Sequence, residues 1–415
     1  MKILYLKPYH YPEELSSPYL GIQTQEAFAR EGYKMELFTP TPSRGLDKET
    51  IKKYRKIRVE EKLNGLLTIR RFPLYAEGKN PILRALRYFI QCVELFFIGV
   101  FNKHAKDADV IMVSSTPPII APTAALIKKI RHIPIVYNLQ DIFPDSLVGA
   151  GMTHKGSMLW KIGRAIENFT YRNCDKIVVI SEDFKRNIMG KGVPEEKIEV
   201  IYNWVDERAV VPIAKDDNIL YDEFSLPKDK FYVVYAGNFG NAQNIDVIIR
   251  AAEQLKEHQD IRFLLFGTGG LIDDFKKLVS DLQLNNVQFF PLQSYNRVSY
   301  VYSLGSVGIV SCKKGIGKGA MPSKTWSIMS AGTPVVANYD TDTDLQHIIT
   351  TRNLGVFSEA DNVRELADAI LYMYNNPIVC EQYGRNARKF IEENLTKDVG
   401  TSKYIEVVKS VVGNK

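Results

Sequence analysis

Two glycine-rich stretches hold the residues best suited to chemistry. In the first, SCKKGIGKGAMPSKTWSIMSAGTPVVAN (Ser311–Asn338), the apolar run Val307–Val310 stops at small and basic residues, crosses a loop and enters a helical pattern over Ser323–Ala331. A strand, loop and helix start in this order offer unpaired backbone N–H groups and the positive end of a helix dipole, which suit a phosphate. Pro322 fits a first helical turn, Ser323 can cap it, and Lys313, Lys314, Lys318 and Lys324 add charge around the same point. Gly332 and Pro334 end the helix and hand over to a second buried strand, Pro334–Ala337. The residues alone also fit an ordinary βαβ unit with a solvated lysine loop. The second stretch is GNFGNAQNID. It follows a strand over Tyr232–Ala236, its Gly237 and Gly240 permit close backbone approach, and a helix begins near Asn244–Asp246, a second anion-ready terminus that includes Asn238 and Gln243.

A third candidate is Asp141. The strand Pro134–Asn138 runs into LQDIFPD, and ligands of open parallel sheets gather outside the carboxyl ends of strands, which puts Gln140 and Asp141 at a cleft. A cap on the following helix is the alternative role for Asp141. No His/Asp cluster or strand-end DxD motif suits a metal; Asp340-Thr-Asp-Thr-Asp reads as a polar turn, so neither metal nor other cofactor is expected. No GxGxxG follows the first strand, which argues against a nicotinamide-type site.

The elements that position these residues read as alternating strands and helices. The 415 residues, 45% hydrophobic and 25% charged, exceed one core and fit two globular domains. Ile3–Leu6 is a buried strand, Thr24–Glu31 a helix and Met35–Thr39 a strand, with a long loop Tyr9–Gly21 before the helix. A polar linker is expected over Glu207–Asp229, broken by Pro212 and Pro227. The four cysteines match no metal spacing and fit a reducing cytoplasm, and the N-terminus reads as a strand and not an export signal. Up to His132 the chain holds 22 Lys+Arg against 13 Asp+Glu, so the first half carries the basic face. There the dense cations IKKYRKIR precede an almost wholly apolar helix, Pro81–Asn102, whose internal charges argue against a membrane span. It reads as a core helix, as a helix resting on an anionic membrane surface, or as both, one face each.

The run PSKTWSIMSAGTPVVA resembles the donor-binding segment of the retaining glycosyltransferases of family 4, in the branch that builds bacterial surface polysaccharides. The likeness covers nearly the whole chain and is strongest over 109–206 and 235–338. It implies a GT-B architecture, two Rossmann-like α/β domains facing a central cleft. Residues 1–206 would bind the acceptor, 207–398 the nucleotide sugar, and a helix over 399–415 would cross back. The resemblance places Asp141 beside the reacting sugar in a DLWP-type motif, with Gln140 where relatives often carry histidine. It places Gly21 near the donor phosphates, Leu292 against the base, and Asn238, Gly240, Gln243, Lys318, Pro322, Ser323 and Lys324 around the diphosphate. Asn238 and Gln243 stand where many members have Arg and Lys. Gly319 and Ser327 stand where the family has two glutamates, so Ser327 alone is left for the ribose. Implied partners are a UDP-sugar donor, carrying an N-acetylhexosamine or a deoxy derivative, and a lipid-linked saccharide acceptor of capsule, O-antigen or exopolysaccharide synthesis. The enzyme would sit at the inner leaflet of the cytoplasmic membrane, with no nucleic-acid partner. The alternatives are a UDP-sugar epimerase of the same fold and a non-catalytic binding homologue.

Overall fold

The structure, a computed structural model, describes residues 1–13, 18–78, 80–149 and 151–413. The chain divides into two compact units, Met1–Tyr202 together with the chain from Gly400 onward, and Asn203–Val399.

The first unit is built on eight strands: β1 (Lys2–Leu6), β2 (Lys34–Pro40), β3 (Val59–Lys62), β4 (Leu67–Phe72), β5 (Val110–Ser114), β6 (Ile135–Leu139), β7 (Lys176–Val179) and β8 (Ile198–Val200). Their order is β3-β4-β2-β1-β5-β6-β7-β8, parallel except for the β3–β4 pair. The central strands are near-continuous apolar runs, as expected of a sheet covered on both faces. The β3–β4 hairpin and the helix Lys48–Arg55, capped by Asp47, lie in the stretch that the sequence marked only as cation-dense. The helix before β2 spans Pro18–Arg30, starting earlier than its periodicity indicates, so Gly21 lies in its first turn and not in a loop. Residues 14–17 of the expected loop lie outside the described residues. The final helix, Lys397–Val412, buries Tyr404, Val407 and Val408 in this unit and pairs Lys409 with Glu31 at 3.0 Å.

The second unit has six parallel strands: β9 (Phe231–Asn238), β10 (Ile261–Thr268), β11 (Val287–Phe290), β12 (Val307–Ser311), β13 (Val335–Tyr339) and β14 (Gly355–Glu359). They are ordered β11-β10-β9-β12-β13-β14. Helix Lys324–Ser330 lies directly on β12, because Gly308 leaves room for Ile328: a Cβ there would stand 2.5 Å from the Ile328 side chain. Trp326, Ile328 and Met329 fill the space beneath, each fully buried.

Glu207–Asp229 is not a free linker. Val210, Leu220 and Tyr221 are buried, the Val211 N–H donates to Ser299 Oγ at 3.0 Å, and Asn218 donates to the Tyr300 carbonyl at 2.8 Å. Its few apolar residues lack helical or strand spacing, so periodicity could not reveal that they pack. Arg388, on helix Pro377–Asn394, fastens this segment. Its guanidinium donates to the carbonyls of Val210 (3.0 Å), Ser330 (2.8 Å) and Glu207 (3.1 Å). Truncation removes this donor from three buried residues, the Val210 carbonyl keeping only Ser330 Oγ at 2.6 Å, so Arg388→Ala is expected to destabilise the second unit by about 3 kcal/mol, read as a lowered denaturation midpoint. Lysine at this position, lacking the planar fork, should recover only part of the loss.

Candidate functional site

At the carboxyl end of β9 the chain passes through Gly237-Asn238-Phe239-Gly240 before a short turn, Asn241–Gln243, and helix Ile245–Gln254. Gly237 is required by a close approach: a Cβ on it would lie 2.7 Å from Lys324 Nζ. That ammonium sits 4.1 Å above the centre of the Tyr235 ring and donates to the Tyr235 hydroxyl at 2.9 Å. The same hydroxyl donates to the Asn238 carbonyl at 2.8 Å, so one tyrosine ties the lysine to the turn. Lys324 has no ion-pair partner among the described residues. Burial pushes its pKa down to about 7. The residue as a whole remains partly exposed, its charged end standing against the Tyr235 ring and the Gly237 backbone.

The turn is compact. Asn238 Nδ2 lies 3.4 Å from Gln243 Oε1, and a Cβ on Gly240 would stand 2.7 Å from Asn238 Nδ2 and 2.9 Å from Gln243 Oε1. Thus Asn238, Gly240, Gln243 and Lys324 lie around one strand end. Pro322 and Ser323 precede helix Lys324–Ser330, but Ser323 adopts helical angles (φ −59°, ψ −21°) and its side chain makes no capping bond. The Pro322 carbonyl instead accepts from the Thr325 N–H at 3.0 Å in a tight first turn. Ser327 is half-buried on the same helix, and Gly319 is exposed.

The lysine-rich loop differs from the sequence expectation. Lys318 pairs with Asp342 at 2.8 Å and Lys314 with Glu359 at 2.6 Å, both at the surface, so these cations do not gather with Lys324. The loop amides are also engaged: Asp340 accepts from Gly315 N–H at 2.8 Å and Gly317 N–H at 2.7 Å. A carboxylate at the end of β13 therefore occupies the anion nest that the glycines create. The expected polar turn is split, since Thr343 caps a helix beginning at Asp344. Beyond β11, Leu292 is exposed (51%), beside Phe290, which stacks on Phe266 at 4.8 Å.

In the first unit, the Gln140 and Asp141 N–H groups both donate to Ser115 Oγ, at 3.0 and 3.1 Å, which turns the chain at the end of β6. Burial raises the Asp141 pKa, and a hydrogen bond from the Ser146 side chain opposes the rise. The loop is pressed against helix Met158–Asn173, where a Cβ on Gly163 would stand 2.8 Å from Phe143 and Pro144. Gly21 faces Lys7, whose Nζ would be 3.2 Å from a Cβ on it. No group of three metal-ligating side chains occurs among the described residues. The sequence reading missed Tyr235 and Asp340; an aromatic inside a buried strand and an acid after the next strand carry no spacing signal.

With this geometry in view, the sequence matches the family described as Glycosyltransferase Family 4 over residues 22–209 and that described as Glycosyl transferases group 1 over 217–390. The chain belongs to the family 4 glycosyltransferases, and its two parallel-sheet α/β units form the GT-B fold. It is 27% identical over 83% of its length, and 84% of the relative's, to the putative colanic acid biosynthesis glycosyl transferase WcaI of Escherichia coli K12. It is 24% identical to the probable glycosyltransferase WbjE of Pseudomonas aeruginosa, covering 82% of this chain and 84% of that one. The solved structure of Anabaena Alr3699/HepE in complex with UDP superposes with a TM-score of 0.72 at 15% identity, over 99% of this chain and all of the other.

The lysine pKa gives a stability signature. Between about pH 7 and 10.5 the unfolded chain holds a proton on Lys324 that the folded chain lacks, so this group makes folding more favourable as pH rises across that window. Below pH 7 the full penalty of enclosing the ammonium applies. Lys324→Met should therefore be more stable than the parent at pH 7, with the advantage shrinking towards pH 10 in urea unfolding series.

Proposed function

We propose that this glycosyltransferase moves a sugar, with retention of configuration and without metal, from a UDP-sugar to a lipid-linked saccharide in surface-polysaccharide synthesis. The sugar is an N-acetylhexosamine or a deoxy derivative. The observation that carries the reading is the enclosed Lys324 ammonium at the end of β9, without an acidic partner among the described residues and beside the start of a ten-residue helix. A leaving diphosphate is the anion that such a cation would stabilise as charge develops in the transition state. The E. coli relative is named for colanic acid biosynthesis, and the Anabaena structure was solved with UDP; both support the assignment. Asp141, with its carboxyl held in a partly desolvated turn, is assigned to the developing positive charge on the sugar. Uncharged Gly319 and Ser327 leave the sugar and ribose hydroxyls without a carboxylate from these positions, which favours a non-catalytic binding homologue as the second reading.

The test is UDP release from candidate UDP-sugars with and without a lipid-linked saccharide. Acceptor-dependent release is expected; UDP binding without release would identify the binding homologue, and sugar interconversion without acceptor the epimerase. Lys324→Ala should lower turnover about a hundredfold. Asp141→Asn should lower turnover while leaving UDP affinity nearly unchanged.

The acceptor assignment draws on the helix Pro81–Phe101. Its Arg87, Gln91 and Leu95 are fully buried, while Ile82 (77% exposed), Leu86 (48%), Phe89 (64%), Val93 (38%), Phe97 (53%) and Phe101 (74%) form one outward apolar stripe. No helix among the described residues is long and apolar enough to cross a membrane. The stripe and the exposed Lys52, Lys53, Arg55 and Lys56 suit an anionic bilayer surface, the inner leaflet of the cytoplasmic membrane, with the enzyme peripheral to it. Co-sedimentation with anionic vesicles is expected at low salt. It should weaken when the four cations are replaced by glutamine, at about 1 kcal/mol each, and be lost in Phe89→Asp/Phe97→Asp. Equal binding to neutral vesicles by all forms would refute the electrostatic part.

A further inference from the structure

The turn that carries Asp141 is pinned from a segment far from it in the chain. Helix Glu182–Met189 ends at Gly190, whose N–H donates to the Arg186 carbonyl at 3.0 Å, and the Lys191 and Val193 N–H groups both donate to the Ile188 carbonyl, at 3.1 and 3.2 Å. Gly192 stands between them at φ +87°, the left-handed backbone that this kind of helix ending uses. Lys191 is thereby fixed at its main chain. Its side chain, 12% exposed, reaches two acids: Nζ lies 2.7 Å from Asp145 Oδ2 and 2.8 Å from Glu167 Oε1. One ammonium thus joins the short helix Asp145–Gly149, helix Met158–Asn173 and the end of helix Glu182–Met189.

The two acids have different attachments. Buried Glu167 also accepts from the Tyr171 hydroxyl at 2.6 Å and pairs with Arg164, whereas Asp145 has, besides Lys191, Asn187 Nδ2 at 3.2 Å. Burial would raise the Asp145 carboxyl, but Lys191 takes it below its ordinary value. From Asp145 the path to Asp141 is short. The Ser146 N–H donates to the Ile142 carbonyl at 2.9 Å and the Leu147 N–H to the Pro144 carbonyl at 3.1 Å, which closes residues 142–147 into a tight turn, and the Ser146 side chain donates to the Asp141 carboxylate. Ser115 holds the start of the turn, Gly163 admits Phe143 and Pro144 against helix Met158–Asn173, and Lys191 is the charged anchor at the far end. Without its ammonium, Asp145 would lose its ion-pair partner and face the Glu167 carboxylate, a repulsion it can relieve only by drawing the turn with it.

We infer that Lys191 is a positioning residue for glycosyl transfer, holding Asp141 in place through Asp145 without touching substrate. The inference rests on the role proposed above for Asp141. Ligand-free protein gives the first reading: carbodiimide coupling of glycine ethyl ester, followed by digestion and mass spectrometry, with the exposed Asp47 as internal reference. Asp141 should label about threefold faster in Lys191→Met than in the parent, because a released turn opens more often. Asp145→Asn keeps Lys191 paired with Glu167 and removes only its hold on the turn, so it should show the same rise, and it decides the matter if Lys191→Met fails to fold. Asp141 labelling equal to that of the parent in the folded variant overturns the inference.

Turnover gives the second reading, as acceptor-dependent UDP release by the parent, Lys191→Met, Asp141→Asn and the double variant. Lys191→Met should lower kcat about tenfold with KM for the UDP-sugar nearly unchanged, and should cost less than about twofold when added to Asp141→Asn, since a residue acting through Asp141 then has nothing left to position. A merely structural support would multiply its loss in full in the double variant, and that result overturns the inference. Lowered turnover in Asp141→Asn beside unchanged turnover in Lys191→Met also overturns it, while leaving the proposed function standing. Unchanged turnover in Asp141→Asn removes the role of Asp141 and this inference with it.

Discussion

The chemistry open to the second unit turns on a lysine ammonium held against a tyrosine ring with no acidic partner among the described residues. Taking a cation into such a place is unfavourable, and the structure limits the cost with a tyrosine face, a phenolic oxygen and a backbone lacking side chain at Gly237. Each support then constrains its own neighbours. Tyr235 is fixed by its strand, Gly237 tolerates no Cβ, and Lys324 is placed by a helix that sits close on β12 only because residue 308 is glycine. An acid at this point would remove the penalty and, with it, the electrostatic reason for an anionic ligand to bind.

The loop after β12 solves the opposite problem. Its glycines expose amides that attract an anion, and Asp340 supplies one from within the chain. Two of its lysines, Lys314 and Lys318, turn to Glu359 and Asp342 at the surface. The loop is thereby a braced scaffold leading into helix Lys324–Ser330, which directs Lys324 under the β9 turn. Charge density in the sequence was a poor guide to charge density at the site, because lysine stems are long and neighbouring acids compete for them.

Much of the fold was legible because parallel strands buried on both faces must be continuous apolar runs: Ile3–Leu6 and Val307–Val310 fall within β1 and β12, neither of which has an exposed residue. What escaped was structure with weak or mixed patterning. The short edge strand β3 is Val-Glu-Glu-Lys, mostly charged, and Glu207–Asp229 packs through isolated apolar residues and backbone bonds. Glycine and lysine in a strand-loop-helix sequence marked the stretch whose Lys324 meets the β9 turn. The capping expected of Ser323 did not occur, since the chain enters the helix through a tight turn that gives Ser323 helical angles.

The guanidinium of Arg388 has a consequence for anyone dividing the molecule. It joins Glu207, Val210 and Ser330 to a helix near the far end of the second unit, and the Val205 N–H donates to the Leu395 carbonyl at 3.2 Å. The first and last segments of that unit are therefore stitched to each other before either reaches its sheet. A fragment that starts at β9 would leave Arg388 with the Ser330 carbonyl alone of its three and would expose the apolar surface on which Leu220 and Tyr221 lie. An autonomous second unit must retain both margins, so limited proteolysis in the stretch before β9 would be expected to unravel the unit from its edges inward.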